Sequence, residues 1–414
     1  MKTNVRQALR ARPTPGLGRL WVGEEESTLI NEVLRSQELN RFYKTGEAMA
    51  DRLEAELRGM VEVNHALAVS SGTGALECAL GALGVGPGDE VLVPAWSWVA
   101  CFTAIVRMGA KPVLVEVDDS LCFDPSEIAA KSTPRTKAAI VVHFQGAPAR
   151  MDVIMSEAER HKIKVIEDCA QSPGAFFKGR RVGALGHINT WSFQHQKTIT
   201  SGEGGAVLTD DPALFERAVR MHDLGQYRPA FALQRAPEFP SFCGGQYRMG
   251  ELAAAVALAQ LRKLDRIRAH CRDLQRVFFL ELGEIPGIRP RTIHDPEGDS
   301  GIELYLFLEG GLDAAVLREA LEARNVNTVP MTGTYCHYRK DYCARGLAHH
   351  PAASPFRDIE MPSRGYRAED FPRTEALVSN MLSLPFGVSY TQEDAVYMAR
   401  CVRNALAEAL CKTY

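Results

Sequence analysis

Residues 191–205 read Trp-Ser-Phe-Gln-His-Gln-Lys-Thr-Ile-Thr-Ser-Gly-Glu-Gly-Gly, and we interpret the rest of the chain around this stretch. It holds a single lysine, Lys197, between an aromatic and hydroxyl-bearing run and a glycine turn, and Val207 and Leu208 then begin an apolar strand. Burial favours the neutral form of a lysine, and a neutral amine can attack a carbonyl group. Because most lysines are solvated, the stretch alone only suggests a catalytic lysine, and the evidence for that role has to come from the residues before it.

The composition is that of a globular protein with room for two domains: 414 residues, 46% apolar and 24% charged. A net charge of −3 favours neither nucleic acid nor a membrane as partner, and no apolar run is long enough to cross a bilayer. The basic segment 1–12 lacks the apolar core of a secretory signal. The 10 cysteines form no Cys-x-x-Cys pair, and several, such as Cys78, Cys101 and Cys169, lie in apolar stretches. We therefore expect reduced, buried thiols in a cytoplasmic protein. The 11 histidines show no ligand spacing, so no metal site is predicted.

From residue 65 onward, short apolar strands alternate with helices. Strands are predicted at residues 65–70, 90–94, 112–117, 137–143 and 163–167, and helices at 73–83, 97–108 and 149–161. This alternation predicts an α/β fold with a mostly parallel sheet covered by helices on both faces. Ligands of such sheets bind at the carboxyl ends of the strands.

The domain organisation is predicted in three parts. An irregular arm covers residues 1–22, a large domain covers 23–270, and a smaller C-terminal α+β domain covers 271–414. Helices are expected at 23–37 and 46–60, and a long, alanine-rich helix at 250–270 is expected to connect the two domains. The small domain is predicted to contain a strand at 303–308, a helix capped by Asp313 and ending at Arg324, a long loop at 337–366 and a closing helix at 391–410.

Three of the predicted strands end in residues that could contact a ligand. Ser-Ser-Gly-Thr-Gly at 70–74 opens a helix, where glycines admit a ligand and free N–H groups attract phosphate, although glycine also serves packing alone. Two tryptophans in Pro-Ala-Trp-Ser-Trp at 94–98 could stack on a planar ring or belong to the core. In Val-Ile-Glu-Asp-Cys-Ala-Gln at 165–171, adjacent strand side chains point to opposite faces. One carboxylate can therefore face a site and keep a ring nitrogen protonated, unless the pair is a helix cap or a surface feature.

Taken together, these residues match the requirements of pyridoxal phosphate. A helix start can anchor the phosphate, an aromatic side chain can cover one ring face, a strand-end aspartate can hold the pyridinium proton, and Lys197 can form the imine. None of these features is specific alone, but their order along one alternating fold is.

The sequence also resembles the DegT/DnrJ/StrS family of sugar aminotransferases, which belong to the fold-type I group of pyridoxal-phosphate enzymes. The resemblance runs from about residue 23 to the C-terminus and is densest over 69–260. It rests on six ordered motifs: Ser-Gly-Thr-Gly-Ala-Leu at 71–76, Val-Pro-Ala-Trp-Ser-Trp at 93–98, Glu-Asp-Cys-Ala-Gln-Ser at 167–172, Trp-Ser-Phe-Gln-His-Gln-Lys at 191–197, Gly-Glu-Gly-Gly at 202–205 and Tyr-Arg-Met-Gly-Glu-Leu-Ala-Ala at 247–254. It implies a seven-stranded-type, mostly parallel sheet between helices.

The resemblance also implies a role for each motif residue. Lys197 is the imine lysine and Asp168 the partner of the pyridinium nitrogen, and both are expected to be catalytic. The remaining cofactor contacts are expected from Gln171 at the ring hydroxyl, Trp98 on the ring face, and Gly72, Thr73 and Ser192 at the phosphate. Gln246 stands where the family usually has an asparagine that reaches the phosphate from the neighbouring subunit. Pro173 departs from the family pattern, as do the residues around Tyr335 and His337.

We therefore predict a homodimeric aminotransferase that moves an amino group from L-glutamine or L-glutamate to a keto-sugar or keto-cyclitol in amino-sugar or aminoglycoside-type biosynthesis. The residue sequences of the motifs are most similar to those of the keto-cyclitol branch, which acts on scyllo-inosose. A nucleotide-linked keto-sugar remains an alternative acceptor. Elimination, racemisation or decarboxylation on the same scaffold also remains open, because a fold does not determine its chemistry. A non-catalytic binding protein is disfavoured by the intact set of Lys197, Asp168 and Gln171.

Overall fold

A computed structural model of the chain describes residues 11–43, 46–226, 242–330, 332–356 and 365–413. The strands are β1 (His65–Val69), β2 (Glu90–Pro94), β3 (Lys111–Val115), β4 (Thr136–Val142), β5 (Lys164–Asp168), β6 (Phe176–Phe177), β7 (Arg180–Arg181), β8 (Ile188–Ser192), β9 (Gly205–Thr209), β10 (Ile288–Pro290), β11 (Glu303–Leu308) and β12 (Met381–Pro385). The helices are α1 (Glu24–Ser36), α2 (Met49–Val61), α3 (Gly72–Ala82), α4 (Ala100–Arg107), α5 (Ser126–Lys131), α6 (Met151–Arg160), α7 (Pro212–His222), α8 (Glu251–Leu261), α9 (Leu264–Leu282), α10 (Ala314–Glu322), α11 (Thr332–Tyr335), α12 (Asp341–Ala344), α13 (Pro372–Val378) and α14 (Gln392–Thr413).

Seven strands form the main sheet in the order β1-β9-β8-β5-β4-β2-β3. Strand β9 is antiparallel to both of its neighbours, and every other adjacent pair is parallel. The six strands other than β9 therefore run in one direction, and their carboxyl ends meet at the same edge. The predicted α/β fold with a mostly parallel sheet is confirmed.

Both faces of this sheet are buried, as the apolar character of its strands predicts. In β1, Leu67 and Val69 belong to one hydrophobic cluster together with α3 and α4, whereas Ala66 and Ala68 belong to a second cluster with α1, α2 and α8. This alternation follows from the two-residue period of a strand, which sends successive side chains to opposite faces. The sheet is thus a rigid layer between helices, and its carboxyl edge is held in place from both sides.

A second, antiparallel sheet of β10, β11 and β12 packs with α9, α10 and α14 around a third cluster. The Asp313 carboxylate accepts a hydrogen bond from Ala315 N at 2.7 Å, which confirms the predicted cap of α10. The division into domains at residues 270 and 271 stays a prediction. In the part of the chain that the structure describes, no helix has both the length and the apolar character needed to span a bilayer.

The helix predicted at 250–270 is instead two helices, α8 and α9, separated at Arg262 and Lys263. Arg262 and Lys263 form a turn, in which Lys263 N donates to the Gln260 carbonyl at 3.0 Å, three residues back instead of the four of an α-helix. The Lys263 ammonium group is bound to the Trp21 carbonyl at 2.6 Å and to the Glu26 carboxylate at 2.7 Å. These contacts join residues more than 230 positions apart, so the alanine-rich pattern of the helix could not reveal the break. The segment predicted as a long loop at 337–366 also contains the short helix α12, and its residues 357–364 lie outside the described chain.

Candidate active site

A cavity of about 520 Å³ lies at the carboxyl edge of the main sheet, where the alternating pattern predicts a ligand site. Five parallel strands contribute to its lining: Gly72 and Thr73 follow β1, Trp98 follows β2, Gln145 follows β4, Asp168 and Gln171 come from the end of β5, and Ser192 and Lys197 come from the end of β8. Leu17, Ile302 and Tyr335 close it from other parts of the chain. Seven of the eight predicted cofactor residues therefore share one cavity.

Lys197 lies on the turn between β8 and β9, and its backbone N–H donates to the Gln194 carbonyl at 2.9 Å. Its side chain is half-buried and lines the cavity. Burial lowers the pKa of the Lys197 ammonium below its usual value, although the nearby Asp168 carboxylate acts in the opposite direction. More of this amine is therefore neutral at a given pH than in a solvated lysine, as the sequence argument requires.

The two adjacent carboxylates at the end of β5 have separate environments. Asp168 is 5% exposed and lines the cavity, whereas Glu167 is fully buried on the opposite face. Glu167 accepts hydrogen bonds from His143 Nε2 at 2.8 Å and from the backbone N–H of Gly183 at 2.7 Å. Burial alone would raise the pKa of Glu167, but these hydrogen bonds lower it overall. Glu167 is therefore a structural carboxylate, and Asp168 is the one available for chemistry.

The Asp168 carboxylate is held in a fixed orientation by two donors. Ala170 N donates to Oδ1 at 2.9 Å, and the buried Cys101 thiol donates to Oδ2 at 3.1 Å. Burial and the proximity of Asp168 raise the pKa of Cys101 well above its usual value, so the thiol keeps its proton and remains a donor. The sequence analysis assigned Cys101 only a buried position, and its contact with the Asp168 carboxylate was not predicted.

The start of α3 and the end of β8 approach each other closely beside the cavity. A Cβ on Gly72 would lie 2.7 Å from Ser192 Cβ and 2.9 Å from Ser192 Oγ, so only glycine allows this contact. The first N–H groups of a helix have no acceptor within it. Here the Ser71 hydroxyl accepts from Gly74 N and the Ser71 carbonyl from Ala75 N. The N–H groups of Gly72 and Thr73 have no acceptor among the described residues and are available to an anion next to the Ser192 hydroxyl.

Gln171 and Trp98 complete the predicted set. The Gln171 Oε1 atom is buried and has no hydrogen-bond partner among the described residues, which is rare for a buried acceptor in a folded protein. Trp98 is 45% exposed and faces the cavity, whereas Trp96 is fully buried in the core. Trp96 is therefore a core residue, whereas stacking on a planar ring stays a prediction for Trp98.

Three further residues named in the sequence analysis lie in different places relative to the cavity. Gln246 does not line the cavity: it is exposed and forms an isolated antiparallel bridge with Asp223. A contact from Gln246 to the phosphate within its own chain is therefore not supported, and its role across a subunit boundary stays a prediction. His337 is fully buried behind the cavity, where its Nε2 lies 2.9 Å from Ser97 Oγ, and burial lowers the pKa of His337 to about 3. Tyr335, in contrast, does line the cavity.

The cavity contains polar residues that the sequence analysis did not assign to the site: Gln145, Gln194, Gln196 and Glu203. Gln145 had a signal that could have identified it, because it lies just after the strand predicted at 137–143, at the same edge as the other strand ends. Tyr335 comes from a segment 190 residues farther along the chain, and no local pattern connects the two.

Comparisons with known proteins agree with this geometry. The family model described as the DegT/DnrJ/EryC1/StrS aminotransferase family matches residues 21–403. The chain is 38% identical over 282 residues to L-glutamine:2-deoxy-scyllo-inosose aminotransferase of Micromonospora echinospora, an alignment that covers 66% of this chain and 67% of that protein. The crystal structure of 3-amino-5-hydroxybenzoic acid synthase superposes with a TM-score of 0.77 at 28% identity over 97% of this chain and 99% of that one. DesI, solved in the presence of its TDP-sugar product, superposes with a TM-score of 0.77 at 26% identity over 98% and 95%.

Proposed function

Because the chain belongs to the DegT/DnrJ/EryC1/StrS aminotransferase family, we propose that it moves an amino group from L-glutamine or L-glutamate to a keto-cyclitol or keto-sugar. Aminotransferases of this family depend on pyridoxal 5'-phosphate. The observation that carries the proposal is the meeting of Lys197, Asp168 and the start of α3 in one cavity at the carboxyl edge of the sheet. The reaction would provide amino groups for aminoglycoside-type natural products.

The residues of the cavity fit this cofactor. The close approach of Gly72 to Ser192 leaves a helix start with two N–H groups and a hydroxyl for a phosphate. The unpartnered Gln171 Oε1 requires a donor, which the hydroxyl group of the pyridine ring can supply. Asp168 provides the carboxylate for the protonated ring nitrogen, and the exposed face of Trp98 provides a surface for the ring.

When bound, pyridoxal 5'-phosphate supplies a conjugated ring that takes up the amino group of the donor and delivers it to the keto acceptor. The neutral Lys197 amine would remove the proton from the donor Cα at its Nζ atom and return a proton in the reverse direction. Asp168, oriented by Cys101 and Ala170, would keep the ring nitrogen protonated and the ring electron-poor. Gln171 and Ser192 would orient the ring without taking part in proton transfer.

The charges of the cavity favour a free cyclitol over a nucleotide-linked sugar. Among the described residues with which this chain lines it, Lys197 is the only cationic side chain, and its role in the reaction leaves none of these residues to neutralise a diphosphate. Diphosphates are usually held by arginine or lysine side chains. The relative from Micromonospora echinospora, whose name specifies an uncharged keto-cyclitol, supports the same acceptor class. Competition between 2-deoxy-scyllo-inosose and a TDP-keto-sugar tests this choice, and preferential amination of the nucleotide sugar would contradict it.

We further propose a homodimer located in the cytoplasm, in which Gln246 contacts the phosphate bound by the partner subunit. Support comes from the exposure of Gln246 and from the free cysteines of the described chain, most of which are buried. Mixing a Lys197→Ala protein with a Gln246→Ala protein tests the shared site. If Gln246 acts across the interface, each mixed dimer regains one site with both residues intact. Activity that does not rise above the sum of the parent variants would contradict this arrangement.

The central test uses the purified protein with its cofactor. It should be yellow, and reduction with borohydride followed by peptide mapping should locate the cofactor on Lys197. Incubation with glutamine and 2-deoxy-scyllo-inosose should form 2-oxo acid and aminated cyclitol in equal amounts. Ammonia release or carbon dioxide release without an aminated product would instead indicate elimination or decarboxylation. Lys178→Ala is a suitable control, because this exposed lysine pairs with Asp152 away from the cavity.

A further inference from the structure

Gln145 lines the cavity and has an unusual backbone conformation. Its φ is +43°, a left-handed conformation that few residues other than glycine adopt and that is often found at functional sites. The surroundings maintain this conformation: the Gln145 carbonyl accepts from the buried Arg291 guanidinium at 2.6 Å. The following N–H, that of Gly146, donates to the Gln171 carbonyl at 3.1 Å and to Ser172 Oγ at 2.9 Å. These hydrogen bonds fix the backbone from which the Gln145 side chain extends into the cavity.

Tyr335 meets Gln145 from a distant part of the chain. Gln145 Nε2 donates to the Tyr335 hydroxyl oxygen at 3.1 Å. The Tyr335 carbonyl accepts from Ser97 N at 3.0 Å, and Cys336 forms an antiparallel bridge with Trp96. The Tyr335 ring also packs against Phe144, with centroids 5.3 Å apart, so both its backbone and its ring are anchored. The two side chains form a preorganised polar pair.

The pair offers one donor and one acceptor to a ligand. Because the Tyr335 oxygen already accepts from Gln145, its O–H is available to donate, and burial raises the pKa of Tyr335 so that the proton stays in place. Gln145 Oε1 has no partner among the described residues and can accept. Neighbouring hydroxyl groups of a ring donate and accept in the same way. Ile302, which also lines the cavity, provides apolar surface for the C–H faces of such a ring.

We propose that Gln145 and Tyr335 together recognise the ring hydroxyl groups of the acceptor, which makes them the specificity residues for a polyhydroxylated keto-ring. This inference rests on the proposed aminotransferase function and names the part of the cavity that selects its second substrate. Neither side chain carries a charge, so the pair suits an uncharged polyol and cannot neutralise the α-carboxylate of the amino acid donor. Arg291 is a positioning residue in this proposal, because it does not line the cavity and acts on the pair through its hydrogen bond to the Gln145 carbonyl.

The two half-reactions separate acceptor recognition from donor recognition. The cofactor-loaded Gln145→Met and Tyr335→Phe enzymes are first mixed with glutamine, and the conversion of the cofactor is followed by absorbance. The aminated enzymes are then mixed with 2-deoxy-scyllo-inosose or with cyclohexanone, a ketone without ring hydroxyls. Each variant should keep the donor half-reaction and raise KM for the inosose about three- to tenfold, the usual effect of one neutral hydrogen bond. The rate with cyclohexanone should stay unchanged.

A binding measurement without turnover completes the test. Titration of the aminated enzymes with scyllo-inositol, which has the hydroxyls but no ketone, should show a weaker Kd in both variants. Tyr338→Phe is the matched control, because its hydroxyl binds Glu375 at 2.8 Å outside the cavity. Equal KM and Kd values for variants and wild type, or a loss confined to the donor half-reaction, would overturn the inference alone. A wild-type enzyme that reacts with glutamine but aminates no keto-cyclitol would overturn the proposed acceptor as well.

Discussion

The cavity has two walls that are assembled in different ways. We call one of them the cofactor wall, because its residues are those proposed to hold the cofactor: Gly72, Asp168, Gln171, Ser192 and Lys197. Each of these residues lies at or just beyond the end of a parallel strand. Their positions follow from the topology of the sheet, because the carboxyl ends of parallel strands meet at one edge. All residues of this wall therefore lie within short sequence motifs.

The acceptor wall consists of Gln145, Ile302 and Tyr335. Only Gln145 follows a strand of the main sheet, and it needs a left-handed backbone and a buried arginine to face the cavity. Tyr335 is placed by backbone contacts between distant segments: Ser97 N donates to the Tyr335 carbonyl and His337 N donates to the Ala95 carbonyl, each at 3.0 Å. The cofactor wall thus depends on the sheet, whereas the acceptor wall depends on contacts between distant segments. The first should determine whether transfer occurs, and the second which ketone is used.

Lys197→Ala gives the largest expected effect. Loss of the proton-transferring amine should slow both half-reactions at least about 10³-fold, within the range of general acid–base catalysis. Rapid mixing of the cofactor-bound variant with glutamine, and separately with the keto-cyclitol, measures the two rates. An acceptor-wall variant such as Tyr335→Phe should affect the second rate only. If Lys197→Ala slows one half-reaction and spares the other, the division into two walls fails.

Asp168→Asn should have the next largest effect. Asparagine keeps the shape of the side chain but removes the negative charge that holds the ring nitrogen protonated. Both half-reactions should slow about a hundredfold, comparable to the loss of one preorganised electrostatic contact at an active site. Glu167→Gln serves as the contrasting variant, because Glu167 lies on the opposite face and stabilises the fold through His143 and the 183–186 turn. It should lower the unfolding temperature and leave the rates of the folded enzyme within about threefold.

The contrast between the walls also explains what the sequence could predict. The ends of strands β1 to β5 were predicted to within one or two residues, because short apolar runs separated by helices indicate buried strands directly. Lys197, Asp168 and Gln171 could be predicted to share one cavity because each lies within a local motif at a strand end. Tyr335 was left without a role because its position at the cavity depends on tertiary contacts that no local pattern contains. Gln145 was left without mention although it follows a predicted strand, and its left-handed backbone and its contact with Tyr335 could not be predicted from that position. The break between α8 and α9 was missed for the same reason, since Lys263 is bound by residues near the N-terminus.

Gly72→Ala should weaken the phosphate end of the cofactor wall. The added methyl group would lie 2.7 Å from Ser192 Cβ, so the start of α3 must move away from β8 and its N–H groups with it. We expect the Kd for pyridoxal 5'-phosphate to rise about tenfold, measured by absorbance titration of the cofactor-free protein. Gly59→Ala is the control, because a Cβ there meets nothing within 4 Å. Equal cofactor affinity in the two variants would mean that the helix start does not hold the phosphate.

The pH dependence of cofactor capture tests the charge balance of the same wall. The Lys197 amine must be neutral to react with the aldehyde of the cofactor, so the capture rate should rise with pH and reach half its maximum below the usual pKa of lysine. The Asp168 charge raises the pKa of Lys197, so Asp168→Asn should move this midpoint to lower pH. Stopped-flow absorbance of the cofactor-free protein measures both midpoints. A midpoint at or above that of free lysine, or a shift to higher pH in the variant, would contradict the burial of the amine.

Substitutions of Cys101 give the smallest expected effect, and they test whether this side chain orients Asp168 or only packs against it. Its thiol donates to Asp168 Oδ2 at 3.1 Å, and a thiol is a weak donor. Serine at this position would donate more strongly, make the Asp168 carboxylate less basic and weaken its hold on the ring proton, whereas alanine would remove the donor and have the opposite effect. The pH at which the absorbance of the bound cofactor titrates should therefore move in opposite directions in Cys101→Ser and Cys101→Ala, while both half-reaction rates change less than about fivefold. Packing alone would shift both variants in the same direction, since each reduces the volume of a buried side chain. Opposite shifts would show that the cofactor wall extends one layer behind the carboxylate, to a residue that never touches the cofactor.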